Sequence, residues 1–128
     1  MTHDEFEKIA AESIKIVPKK FRDKLKNVAV LVEDDISDEI RREQGLRENE
    51  TLLGLYRGIP QTDRGDYYGV GPTLPDTISL FMKPILAEAA EEGISIERAV
   101  AETLWHEMAH HFGLDEVSVR AREVKRIN

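Results

Sequence analysis

One stretch near the C-terminus, His106–Glu116 (HEMAHHFGLDE), restricts the fold of this chain more than any other. His106 and His110 stand four residues apart, and on a helix that spacing stacks both imidazoles one turn apart on one face, where they can share a metal ion. Glu107 follows the first histidine and cannot easily join the same ligand set. From there it can reach a metal-bound water, take its proton and return it to a leaving amine. Gly113 ends the helix, since glycine tolerates the left-handed turn that reverses the chain. Beyond that turn Asp115 and Glu116 each offer a carboxylate as third ligand, leaving the fourth tetrahedral position for water. The same helix must bury its other side. At about 100° per residue, Ala101, Leu104, Trp105, Met108 and Phe112 form one apolar stripe. His106 and His110 fall roughly opposite, beside the small residues Ala99 and Thr103, so one face packs on a core while the other opens to a cleft. His111 lies at the stripe's flank near Glu107, where a dipole-favoured helix-end role and a catalytic one suit it equally.

The chain has 128 residues, a length that suits one domain over 1–128 with one core. It contains no cysteine, which excludes disulfides and thiolate ligands, so any zinc must be held by histidine and carboxylate. A net charge of −7 argues against nucleic acid as a partner, because neutralising phosphates needs clustered Lys and Arg. The start, MTHDEFEKIA, lacks the basic and apolar regions of a signal peptide. No apolar run approaches membrane-spanning length. A cytoplasmic protein without a membrane partner is the expectation.

In chain order, Thr2 and Glu5 make a capping-box pattern. Phe6, Ile9, Ala10, Ser13, Ile14 and Val17 follow at helical spacing, ending near Pro18. His3, in the first turn, reads as a solvated residue. Pro18 opens a short helix with Phe21 and Leu25 inward. Val28–Val32 is a continuous apolar run and reads as a strand covered on both faces. Ser37 caps a short helix that ends at Gly45, with Arg41, Arg42 and Glu43 as a solvated face. Leu52–Arg57 is a second strand, in which Gly54 marks a bulge or a close backbone approach. Gly58–Pro75 is a long loop of the kind that binds or covers ligands, and it carries Arg64, Tyr67 and Tyr68. Thr77–Phe81 is a third strand. Pro84 then opens a helix with Ile85, Leu86, Ala89 and Ala90 inward, closed by Gly93. Ser95 caps the histidine-bearing helix, which runs to about Phe112. Val117–Arg126 reads as a terminal helix with Val117, Ala121 and Val124 inward.

The pattern H-E-x-x-H is the arrangement of zinc metallopeptidases, and here it continues as H-x-x-G-x-x-E, the metzincin spacing with Glu116 at the third-ligand position. With LLGLYRGIP at Leu52–Pro60 and LPDTISLFMKPI at Leu74–Ile85, the chain resembles the minimal zincin-like metallopeptidases, a bacterial family of small single-domain proteins. The resemblance implies an α+β zincin-like fold, a small mixed sheet packed on the active-site helix with helices at both termini. It implies one zinc ion per chain on His106, His110 and Glu116, with Glu107 as general base and acid. It also implies a peptide or protein substrate lying extended along an edge strand, for which Leu52–Arg57 is the candidate. Gly58–Pro75 would roof the zinc, and Tyr67 or Tyr68 would donate to the developing oxyanion. Two departures from larger metzincins stand out. The third ligand is a carboxylate rather than histidine, and no methionine follows the motif, so the Met-turn is missing. So open a site implies weak or narrowly selective hydrolysis.

Two other functions fit part of the pattern. Bacterial zinc-bound endoribonucleases carry H-x-x-x-H-x-x-G-x-x-H but lack the glutamate after the first histidine. Glu107 and the acidic charge count against that metal-dependent RNA hydrolase reading. A metal-holding interaction module without turnover would keep the same ligands.

Overall fold

A computed structural model describes residues 1–23, 28–58, 76–112 and 125–126. Helix α1, His3–Ser13, starts at the capping box expected from its sequence. The Thr2 hydroxyl accepts the Glu5 N–H at 3.2 Å, and the Glu5 carboxylate accepts the Thr2 N–H at 3.1 Å. That Thr2 N–H holds the Glu5 carboxyl below its ordinary pKa, because it bonds the charged form. The helix buries Phe6, Ala10 and Ser13, and Val17 follows into the core after one 3-10 turn. A short helix α2, Lys19–Arg22, opens after Pro18. Leu25 and the Phe21 side chain lie outside the described residues.

Strands β1 (Val28–Glu33), β3 (Gly54–Arg57) and β4 (Asp76–Phe81) form a mixed sheet in the order β1-β4-β3. β1 runs parallel to β4 and β3 antiparallel to it. Between β1 and β3 the chain forms α3, Asp38–Glu43, and the short β2, Glu50–Thr51. Ser37 caps α3 through the Ile40 N–H at 3.1 Å, as expected. Helices α4 (Met82–Glu92) and α5 (Ile96–Phe112) follow β4. Gly93, at φ 68°, closes α4 in the left-handed region that glycine alone enters without strain.

Side chains alternate across a strand, so β4 faces two layers. Ile78 and Leu80 join Phe6, Ile85, Val100, Leu104 and Met108 in the main core under α1, α4 and α5. Phe81 turns the other way and meets Ile40, Leu52 and Leu55 in a smaller cluster. Burying one such leucine side chain contributes roughly 1.5–3 kcal/mol. The α+β arrangement, with its small mixed sheet against α5, is therefore the one expected. Among the described residues no helix is long and apolar enough to cross a membrane.

Several local expectations are corrected. β1 is an edge strand with Leu31 46% exposed, rather than a strand covered on both faces. Ala90 is exposed rather than inward, because α4 buries only Met82, Pro84, Ile85 and Ala89. The strand over Leu52–Arg57 is two pieces, and its first part shifts to Glu50–Thr51. That piece pairs with β5, Lys125–Arg126, so the last residues of the expected terminal helix are strand. Ladder pairing with a distant segment outweighs their helical spacing. Residues 113–124, with the rest of that helix, lie outside the described residues. The α3 charges are not simply solvated. Arg41 donates to the carbonyls of Arg47 and Glu50, and Glu43 pairs with Arg57 at 3.3 Å. His3 is also more than solvated, since its ring nitrogens meet Asp34 Oδ1 at 3.1 Å and Glu7 Oε1 at 2.7 Å.

Candidate metal centre

Helix α5 begins at Ser95, whose hydroxyl accepts the Arg98 N–H at 3.1 Å. Four members of the expected stripe are placed as expected, with Ala101, Leu104 and Met108 buried and Trp105 half-buried, and the Phe112 side chain lies outside the described residues. His106 and His110 are exposed on the other side, one turn apart. Ala99 and Thr103 are expected beside the histidines on the open side, but both are buried. For Thr103 the reason is β3. Gly54 crosses the helix there, and a Cβ at Gly54 would stand 2.8 Å from Thr103 Cγ2, 3.1 Å from the Ser79 carbonyl oxygen and 3.6 Å from Glu107 Cγ. Of the two roles open to Gly54, close backbone approach is the one observed.

That approach brings the sheet to Glu107. The Tyr56 N–H donates to Glu107 Oε1 at 3.0 Å, across 51 residues of sequence. In an antiparallel ladder alternate N–H groups face away from the partner strand, and this one meets a carboxylate. The Tyr56 hydroxyl in turn donates to Asp76 Oδ2 at 2.7 Å. Sequence reading singles out neither Tyr56 nor Asp76. The available signal is alternation, which sets Tyr56 on the same face of β3 as Gly54. A cavity of about 170 Å³ adjoins the site, with Leu53, Gly54, Thr103, His106 and Glu107 in its wall.

The donors present suit zinc as far as they go. Two exposed imidazoles at i and i+4 match the nitrogen ligands zinc takes, and one Glu107 carboxylate oxygen is bonded to β3. Among the described residues no group of three metal-ligating side chains occurs. The third candidate, Glu116, and its rival Asp115 lie outside those residues, as do Gly113, Arg64, Tyr67, Tyr68 and the His111 side chain. Residues 59–75, the expected roof, lie outside them too. Among the described residues β3 lies at one edge of the three-stranded sheet.

The family model for zincin-like metallopeptidases matches residues 25–126, a span that holds the helix, the sheet and the whole of His106–Glu116. The chain belongs to that family. The family's description suggests a metallopeptidase, and zincin-like families usually bind zinc. No curated protein matches the chain. Among solved structures it is similar to a conserved hypothetical protein from Thermo thermophilus, with 27% identity over 88% of this chain and 95% of that one, at a TM-score of 0.53.

Proposed function

We propose that this zincin-like protein is a zinc-dependent peptidase of the cytoplasm, with His106, His110 and Glu116 as metal ligands and Glu107 as general base and acid. The observation that carries the reading is the separation of roles on one helix turn. Two imidazoles lie exposed on the open side of α5, while the carboxylate between them is held by a main-chain amide of the sheet. Zinc in such a site supplies Lewis acidity to a water and to a substrate carbonyl. Glu107 takes the proton of the attacking water as the new C–O bond forms. It returns that proton to the amide nitrogen as the C–N bond breaks, so the base is regenerated in each turnover. The wall of the adjoining cavity gives a peptide side chain a place beside Glu107. A peptide laid along β3 finds the Tyr56 N–H already engaged, so that donor is withheld from the substrate's main chain. Glu107 and the net charge of −7 both speak for peptide over RNA.

The decisive test pairs zinc analysis with a peptide-library cleavage assay on the parent and on Glu107→Gln. The parent should carry about one zinc per chain and cleave a subset of peptides. Glu107→Gln should keep the zinc and lose hydrolysis by about a hundredfold or more. A metal-loaded Glu107→Gln protein with full activity refutes the mechanism. Zinc without any cleavage by the parent leaves the metal-holding module as the function. Zinc content of Glu116→Ala against Asp115→Ala decides the third ligand.

A further inference from the structure

The geometry points to Tyr56 as the positioning residue of Glu107, holding that carboxylate through its main-chain N–H while its own hydroxyl is tied to Asp76; this rests on the reading of Glu107 as the proton carrier. A glutamate on a helix surface has three rotatable side-chain bonds and ordinarily samples several rotamers. Here one carboxylate oxygen meets a donor that is itself rigid, since Tyr56 sits between Leu55 and Arg57, whose ladder partners are Ser79 and Thr77. With Oε1 fixed, the direction of the second oxygen is fixed relative to α5, and so relative to His106 and His110 on the same helix. A charged acceptor makes this hydrogen bond stronger than a neutral one. It also restrains Glu107 from swinging among the imidazoles and entering the ligand set, as groups bonded behind a metal's ligands do.

Two further contacts keep the donor in place. Gly54 lets β3 lie against α5, because any Cβ there would collide with Thr103 Cγ2 at 2.8 Å. The 2.7 Å bond from the Tyr56 hydroxyl to Asp76 Oδ2 then ties the outer end of β3 to the first residue of β4. Tyr56 pairs with Ile78, so Asp76 is its diagonal neighbour across the ladder, on the same face. Tyr56 therefore joins the sheet to the helix at the one carboxylate whose direction matters for proton transfer.

Amide hydrogen exchange on isotope-labelled, metal-free and zinc-loaded protein tests the hold on Glu107 directly. Glu107→Ala should speed exchange at the Tyr56 N–H about tenfold or more, with other β3–β4 ladder amides unchanged. Glu107→Gln, which retains a carbonyl acceptor, should keep most of the protection. Unchanged Tyr56 exchange in Glu107→Ala overturns the proposal. With a peptide that the parent cleaves, Tyr56→Phe and Asp76→Ala should each lower kcat about tenfold at unchanged KM and zinc content. Asp76→Asn, whose amide oxygen still accepts the hydroxyl, should recover most of the loss. Parent kcat in both Tyr56→Phe and Asp76→Ala overturns the positioning role of the hydroxyl bond. A parent that cleaves nothing sinks the peptidase reading instead, and the exchange rates still decide whether Tyr56 holds Glu107.

Discussion

The two edges of the sheet are held in opposite ways. β3 lies so close to α5 that one added carbon at Gly54 would meet Thr103 Cγ2 at 2.8 Å, and its Tyr56 N–H meets Glu107. β1 leaves Leu31 46% exposed, in the wall of a groove of about 490 Å³ that Ala10, Ile14 and Val32 also line. It is secured at its exit instead. The Asp34 carbonyl accepts the Lys83 N–H at 2.9 Å, and the Asp34 carboxylate meets His3. The close fit is thus concentrated at the edge that borders the candidate metal centre. Packed interiors transmit small displacements, whereas half-exposed surfaces absorb them. The β3 edge should therefore be intolerant of change and the β1 edge tolerant.

The largest effect is expected at Gly54. Gly54→Ala forces a methyl against Thr103 and the Ser79 carbonyl, an overpacking that typically costs about 1–3 kcal/mol. Thr103→Ser removes the offending Cγ2 and keeps the hydroxyl bonded to the Ala99 carbonyl at 2.8 Å. The double variant should recover part of the loss but not all, because the Ser79 oxygen remains at 3.1 Å. Denaturant midpoints of the parent, both single variants and the double variant measure this coupling. Parent stability in Gly54→Ala would erase the contrast between the two edges.

The same contrast explains what was legible in the sequence. Thr2 with Glu5, Ser37, Ser95 and Gly93 all act at the helix ends expected of them, because a cap is a contact between near neighbours. His106 and His110 share an exposed face for the same reason, since their relation is set by one helix. The Tyr56–Glu107 bond was illegible because it spans 51 residues and depends on which strand lies beside α5. Small residues misled in a related way. Ala99 and Thr103 read as the rim of a cleft, yet β3 crosses Thr103 at Gly54 and Ala99 is buried in the main core. In β1 the run Val28–Val32 is apolar throughout, which hides the alternation that would have marked an edge. Val28, Val30 and Val32 pack on the main core while Leu31 turns outward.

A smaller effect is expected at the exit of β1, where His3 is the fastener. Its pKa is raised above the ordinary 6.5 by the hydrogen bond to Asp34 first and by that to Glu7 second. Folding therefore favours the imidazolium. The stabilisation is fully present below 6.5 and is lost as the pH rises through the raised folded-state value. The stability difference between the parent and His3→Gln should be greatest on the acid side and shrink at higher pH. Asp34→Asn should flatten that dependence. Melting temperatures of the three proteins across this range provide the check, and a difference independent of pH rejects the fastener.

The smallest effect is expected at Leu31. Its side chain is 46% exposed on an edge strand, and its ladder partner is Ser79 on β4. Leu31→Lys keeps an aliphatic stem to lie along the strand and carries its charge into water. Lysine is also a residue that natural edge strands use to discourage pairing with other chains. Surface substitutions away from caps, cavities and buried polar groups usually stay within about 0.5 kcal/mol. Leu31→Lys should therefore leave the denaturant midpoint and the zinc content at their parent values. A loss well above that size, or a change in sedimentation between parent and variant, would mean that Leu31 is covered in solution. The β1 edge would then be as constrained as β3, and the division between a fitted edge and a tolerant one would fail.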